Sequence, residues 1–289
     1  LTYRDGMSMT WKNGRQLATL TNGDTSVSYG YNNGSIRTTK IVNGVKYTYA
    51  YLNGQLLYET RGDAKFYYSY DANGIWYNVR YTLTDGGTEY SYYYTHNSRG
   101  DIVGIYNGAG ELKAHYEYDA WGNVVSITDN NGNAITSPNH IGNLNPFRYR
   151  GYYQDTETGL YYLMSRYYDA VTHRFINADG YFQSGGSILD ANTFAYCGNN
   201  PVLNVDPLGT CKVPNYTSAG TYIGHTWKIK ESVPGVPGFC NVCKGYGSNA
   251  PSNTSHSFII SSYTTPSTKK QDYNTWNKVA DSFGAVFCS

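Results

Sequence analysis

The chain has 289 residues, a formal net charge of +1, 33 Tyr, 32 Gly and only 9 Pro. This length allows one large domain or two to three small ones. A near-neutral charge argues against a polyanion-binding surface over the whole molecule, and no apolar run approaches the roughly 18 residues of a membrane span. Tyr favours pleated strands and Gly supplies positive φ, so the composition predicts many short strands, glycine turns and little helix.

Turn signals recur with a period near 20 through residues 1–135. One set falls at Asn13-Gly14, Asn33-Gly34, Asn53-Gly54 and Asn73-Gly74, then more loosely at Arg99-Gly100 and Trp121-Gly122. A second set falls between them, at Asn22-Gly23, Asn43-Gly44, Gly62-Asp63, Gly86-Gly87, Asn107-Gly108 and Asn131-Gly132. Asn-Gly suits the type I′ turn, so each of about six repeats is predicted to be strand, tight turn, strand, tight turn.

Pairs of tyrosines two positions apart precede the turns of the first set. They are Tyr29 and Tyr31, Tyr49 and Tyr51, Tyr68 and Tyr70, Tyr92 and Tyr94, and Tyr116 and Tyr118. Side chains two apart share one face of a strand. Stacked repeats are therefore expected to align these rings in structural ladders, and a carbohydrate-binding platform is the alternative.

The repeats and the segment after them resemble a known family. The repeat resembles the YD repeat, most fully at Tyr118-Asp119-Ala120-Trp121-Gly122-Asn123. Residues 147–209 resemble the RHS-repeat-associated core domain in these motifs: Phe147-Arg148-Tyr149-Arg150-Gly151-Tyr152-Tyr153, Arg166-Tyr167-Tyr168-Asp169, Arg174-Phe175-Ile176-Asn177-Ala178-Asp179, Asn199-Asn200-Pro201-Val202 and Asp206-Pro207-Leu208-Gly209.

The resemblance implies a mainly β chain. Repetitive antiparallel hairpins over 1–135 would form a strip of a spiralling shell, closed by the core domain over 136–209 and followed by a small α+β or irregular domain over 210–289. About six repeats would make one winding with exposed edge strands, so we expect upstream repeats of the same protein to be partners. Leu1 is not followed by a signal-like segment, so any targeting signal is expected upstream of it.

Two aspartates of the core carry its candidate chemistry. Carboxylates that share a partly buried site push their pKa values apart, so one can hold a proton while the other activates water. The resemblance implies autoproteolysis by Asp179 and Asp206, with the cut at the bond between Gly209 and Thr210 or within a residue or two of it. The alternative is that both aspartates only close turns, and Asp190 is a third candidate carboxylate.

Two arginines of the same motifs could support the aspartates. Arg166 and Arg174 could neutralise them, although pairing with other acids is the favoured interpretation. The chain departs from the family pattern where Asp179 is followed by Gly180, at Thr210, and in the 27-position interval between the aspartates.

Residues 210–289 lack the repeat and carry seven lysines against three acidic residues. Cys211, Cys240, Cys243 and Cys288 could form two disulfides or bind zinc. A Cys nucleophile with His225 or His256 as its base, and a nucleic-acid-binding effector, are further alternatives. Residues 271–285 show helical spacing of apolar side chains, whereas Cys197 of the core is expected to be buried and inert.

Two functions remain open at the level of sequence. The first is a bacterial shell, secreted or at the cell surface, that encapsulates its own C-terminal domain as cargo and releases it by self-cleavage. An immunity protein or a component of a target cell would then be a partner. The second is a structural or adhesive surface protein that binds glycans or proteins without catalysis.

Overall fold

The computed structural model describes residues 3, 6–71, 74–179, 192–210 and 213–214. Its largest element is an open, twelve-stranded antiparallel sheet in which each strand pairs with the next along the chain. The mainly β prediction is confirmed, with two strands for each of the six repeats. The strands are β1 (Ser8–Lys12), β2 (Gln16–Asn22), β3 (Thr25–Tyr31), β4 (Arg37–Val42), β5 (Val45–Leu52), β6 (Gln55–Arg61), β7 (Ala64–Tyr70), β8 (Trp76–Thr82), β9 (Tyr90–His96), β10 (Ile102–Asn107), β11 (Leu112–Tyr118) and β12 (Val124–Thr128).

Type I′ geometry holds at only some of the Asn-Gly turns. At Asn43-Gly44 φ is 48° and 86°, and at Asn53-Gly54 it is 52° and 81°, as this turn requires. At Asn33-Gly34 and Asn107-Gly108 neither residue has positive φ, so a type I′ turn is wrong there. The physical reason is that a side chain closes these turns instead of a pair of left-handed residues.

Asp119 shows how a side chain closes such a turn. Its Oδ1 accepts the backbone N–H of Trp121 at 2.8 Å and of Asn123 at 2.9 Å, and its Oδ2 accepts the Asn123 side-chain amide at 2.7 Å. Asn107 does the same for the N–H groups of Ala109 and Glu111. Asn32 and Asp71, which like Asp119 follow a repeat tyrosine, accept the N–H groups of Ile36 and Ile75, so the Asp or Asn at this position is a turn-closing acceptor.

Among the residues that the structure describes, the expected tyrosine ladders are not formed as direct contacts between tyrosines of successive repeats. The tyrosine pairs lie on alternate strands, so another residue stands opposite each ring. Tyr29 pairs with Lys40, Tyr49 with Glu59 and Tyr68 with Val79. The rings instead contact aromatic residues of the core segment: Tyr29 with Tyr167, Tyr49 with Tyr153 and Tyr68 with Phe147. Within the described residues, the repeat tyrosines thus join the sheet to the segment that covers it.

The segment after the sheet is compactly folded against it. It contains the short helix α1 (Ile141–Leu144), a four-stranded antiparallel sheet and a two-stranded pair. The four strands are β13 (Tyr153–Asp155), β14 (Leu160–Tyr162), β15 (Tyr167–Asp169) and β16 (Arg174–Phe175); the pair is β17 (Asn204–Val205) and β18 (Val213–Pro214). No helix in the described ranges has the length and apolar character needed to cross a bilayer.

Buried ion pairs connect β13 to the large sheet. The Asp155 carboxylate accepts from Arg37 Nη1 at 2.6 Å and from Lys40 Nζ at 2.9 Å, and Lys40 also lies 2.7 Å from Glu157. Burial raises the pKa of Asp155, but the two cations outweigh this and hold it below its usual value. Burial and the nearby Asp155 charge raise the pKa of Glu157.

A second buried carboxylate makes the same connection one hairpin further on. Glu59 of β6 accepts the Tyr153 hydroxyl at 2.6 Å, the Tyr68 hydroxyl at 2.8 Å and Arg61 Nε at 2.7 Å. A fully buried charge is stable only when its hydrogen-bonding capacity is filled in this way. Glu59 and Tyr153 are 94 positions apart in the chain.

Candidate functional site

The candidate site lies where the β15 and β17 segments meet. Arg166 directly precedes β15, Asp206 directly follows β17, and Asp179 comes shortly after β16. All three side chains are largely buried, with 4%, 2% and 13% of their surface exposed, respectively. The site therefore brings together side chains up to 40 positions apart in the chain and shields them from solvent.

One guanidinium nitrogen joins the two aspartates. Arg166 Nη2 lies 3.1 Å from Asp179 Oδ2 and 3.1 Å from Asp206 Oδ2. The interpretation that Arg166 pairs with other acids is therefore wrong. Burial lowers the pKa of Arg166, and the two carboxylates partly oppose that shift. Its guanidinium also lies over the Phe175 ring, 3.5 Å from the ring centre.

The peptide bond between Gly209 and Thr210 is held on both sides. The Gly209 carbonyl oxygen accepts hydrogen bonds from Arg166 Nε and from Ser165 Oγ, the latter at 2.6 Å. On the other side of the bond, the Thr210 N–H donates to Asp206 Oδ1 at 3.0 Å. Gly209 has a φ of 68°, which turns this peptide back toward β17.

A tyrosine hydroxyl contacts both the carbonyl and the N–H of the Asp206 backbone. The Tyr152 hydroxyl donates to the Asp206 carbonyl at 3.0 Å, and the Asp206 N–H lies 3.3 Å from the same hydroxyl.

Cys197 is buried, as expected. Burial and the Asp206 charge raise the pKa of its thiol well above the usual value, so the thiolate that could act as a nucleophile is disfavoured.

The other candidate residues lie elsewhere. Arg174 is exposed, and its guanidinium lies over the Phe194 ring at 5.3 Å. Asp190 and the histidines of the C-terminal segment are outside the described residues, as are Cys211, Cys240, Cys243 and Cys288. Disulfides, zinc binding and the helix over 271–285 therefore stay predictions.

Ser165 is the residue that sequence reasoning missed. Its hydroxyl contacts the Gly209 carbonyl and, at 2.7 Å, the Leu208 carbonyl. The chain separates these groups by 43 and 44 positions, and a lone serine carries no spacing signal that would reveal the contact. Only the position of Ser165 next to Arg166 could have drawn attention to it.

Comparisons with known proteins agree with this architecture. The family model described as RHS Repeat matches residues 96–134. The tRNA3(Ser)-specific nuclease WapA of Bacillus spizizenii is 40% identical over 184 residues, covering 63% of this chain and 7% of that protein. The tRNA(Glu)-specific nuclease WapA of Bacillus subtilis subsp. natto is 37% identical over 184 residues, with the same coverage of each chain.

A solved structure shares the fold. The crystal structure of TcdB2-TccC3-Cdc42 superposes with a TM-score of 0.53 at 20% identity, over 71% of this chain and 10% of that one. This chain thus spans a small part of the length of the proteins it matches. Residues 96–134 are thus an RHS repeat, and the repeated hairpins and these relatives make the chain similar to RHS/YD-repeat proteins.

Proposed function

We propose that this chain is the closing part of a repeat-built shell and that it cuts itself between Gly209 and Thr210, releasing the polypeptide that begins at Thr210. The observation that carries the proposal is the geometry of this one peptide bond. Its carbonyl oxygen accepts from Arg166, and its N–H donates to the same aspartate that Arg166 pairs with. Closing a turn would need only the second of these contacts.

The proposed chemistry is hydrolysis by water. Water adds to the carbonyl carbon of Gly209, one of its protons passes to a carboxylate, and the carbonyl electrons move to the oxygen that Arg166 binds. The oxyanion then reforms a C=O bond, and the bond between Gly209 and the Thr210 nitrogen breaks as that nitrogen takes up the proton that the carboxylate had received from water. Asp206 is the residue next to the leaving nitrogen, and Asp179 is the second carboxylate in the role of general base.

The large sheet has the complementary role of support. Asp155 and Glu59 tie the core segment to it through buried charge, so the segment that carries the site is held rigidly. Rigid support suits catalysis because it fixes the reacting groups before the reaction begins. The repeat tyrosines proposed as a glycan platform, such as Tyr49 and Tyr68, are buried, so that alternative gains no support from them.

The released segment is proposed to be a toxin or other effector. The two WapA relatives carry names that specify different tRNA targets, although both match this chain to a similar extent. Such variation fits a common shell that delivers different cargoes. A secreted or surface location on a bacterium, and an immunity protein as partner, belong to this proposal.

Cleavage can be followed on denaturing gels. The purified full chain is incubated for hours to days beside Asp206→Asn and Asp179→Asn variants, which keep side-chain size but remove the negative charge. We expect the wild type to divide into two fragments and both variants to stay whole. A matched control is Asp85→Asn, at an exposed ion pair with Lys65, which should cleave like the wild type. A wild-type chain that remains whole would contradict self-cleavage.

A further inference from the structure

Ser165 lies in a sharply turned segment just before β15. Met164 has a φ of 62°, the Ser165 N–H donates to the Leu163 carbonyl at 2.7 Å, and the Leu163 N–H donates to the Arg166 carbonyl at 2.9 Å. A non-glycine residue at positive φ is uncommon and carries some strain. This turn directs Ser165 and Arg166 toward the same carbonyl group, that of Gly209.

The serine hydroxyl has one proton and two acceptors within reach. It lies 2.6 Å from the Gly209 oxygen and 2.7 Å from the Leu208 oxygen, so in the resting chain its proton is divided between two neutral carbonyls. Addition of water to Gly209 would place negative charge on one of these oxygens only. The hydrogen bond to that oxygen would then become a charge-assisted one, which is roughly twice as strong.

We propose that Ser165 is a further catalytic residue, which with Arg166 Nε forms the site that stabilises the oxyanion on Gly209. The inference rests on the proposed self-cleavage. Ser165 keeps its own proton and forms no covalent bond, while water supplies the atoms of hydrolysis. The interaction strengthens as charge develops, which is the condition for a contact to accelerate a reaction rather than only bind the ground state.

The absence of a side chain at Gly209 fits this role. A Cβ at that position would lie 3.0 Å from Ser165 Oγ and 2.8 Å from the Leu163 carbonyl oxygen. The first distance is tighter than nine in ten real Cβ contacts and the second is shorter than real Cβ atoms show, so a larger residue would move the carbonyl away from its two donors. Glycine therefore lets Ser165 approach the bond to be cut.

The test is the first-order rate at which the full chain disappears on denaturing gels. Ser165→Ala should cleave about 100-fold more slowly than the wild type, the effect typical of losing one oxyanion donor. Ser165→Thr, which keeps the hydroxyl, should recover most of the rate. Ser126→Ala is the matched control, because it removes a serine hydroxyl that donates to the exposed Glu117 on the large sheet.

Two further readouts separate this role from a structural one and from failure of self-cleavage itself. Thermal unfolding measured with Asp206→Asn present, so that no chain is cut, should be nearly unchanged by Ser165→Ala. A wild type that cleaves while Ser165→Ala cleaves within about twofold of its rate would overturn the role of Ser165 alone. Equal slowing by Ala and Thr would also overturn it. A wild type that never cleaves would overturn both proposals.

Discussion

Gly209 shows how one residue can be required by backbone and site together. Its φ of 68° lies in the left-handed region, and an added Cβ would meet the Leu163 carbonyl oxygen at 2.8 Å. We predict that Gly209→Ala slows cleavage at least about 10-fold, because the side chain displaces the carbonyl from Arg166 and Ser165. The measurement is the cleavage rate of the purified full chain.

Gly132 provides the matched control for that substitution. Its φ is 81°, and nothing lies within 4 Å of where its Cβ would be. Gly132→Ala should therefore cost about 1–2 kcal/mol of conformational strain and leave the cleavage rate unchanged. Cleavage of Gly209→Ala at the wild-type rate would show that the carbonyl need not be held as the structure holds it.

The candidate residues differ in how readily the sequence reveals them. Asp179 and Asp206 stand in recognisable motifs, so their types and positions are visible in the chain. The pairing of Arg166 with both aspartates cannot be seen in the sequence. Its partners are 13 and 40 positions away, and an arginine in a motif has many possible acids to pair with. The contact of Ser165 with Gly209 cannot be predicted either, because its acceptors are backbone carbonyls that no side-chain pattern encodes.

At the scale of the element, the turn closed by Asp119 makes a direct prediction. Replacing Asp119 by Ala removes the acceptor for the N–H groups of Trp121 and Asn123 and should cost about 1–2 kcal/mol. Asp119→Asn should cost much less, because Asn97 closes the corresponding turn at Arg99-Gly100 with an amide oxygen. Urea unfolding followed by tryptophan fluorescence measures both, and equal losses for Ala and Asn would contradict this role.

The β13 connection predicts a dependence of stability on pH. The folded-state pKa of Asp155 is below its usual value, so the carboxylate stabilises the fold above the unfolded pKa of about 3.9, and this is lost as pH falls below it. Asp155→Asn leaves the buried Arg37 without its carboxylate partner and leaves Lys40 paired with Glu157 alone, which should cost about 3–5 kcal/mol at neutral pH.

The difference between wild type and Asp155→Asn is the quantity to measure. Urea unfolding should give a constant difference from pH 7 to about 5 and a smaller one below about pH 4. Asp85→Asn at the exposed pair with Lys65 is the control and should change stability little at any pH. A difference for Asp155→Asn that does not change with pH would contradict the buried ion pair.

At the scale of the whole molecule, the sequence predicts the large sheet well and its attachment poorly. The period of glycine turns is local, so it predicts the hairpins and their order. The buried networks of Asp155 and Glu59 involve partners 94 to 118 positions apart, and no local pattern specifies them. The repeat tyrosines illustrate the difference, since their face was predicted from alternation but their aromatic partners came from the core segment.

The most direct test of the whole account is the intact mass of the purified full chain after incubation. Self-cleavage at the proposed bond predicts two species, residues 1–209 and residues 210–289, and a single species of 289 residues for Asp206→Asn. A wild-type chain that keeps its full mass would contradict the account. So would a cut at another bond, or fragments that form equally fast when Asp206 is replaced.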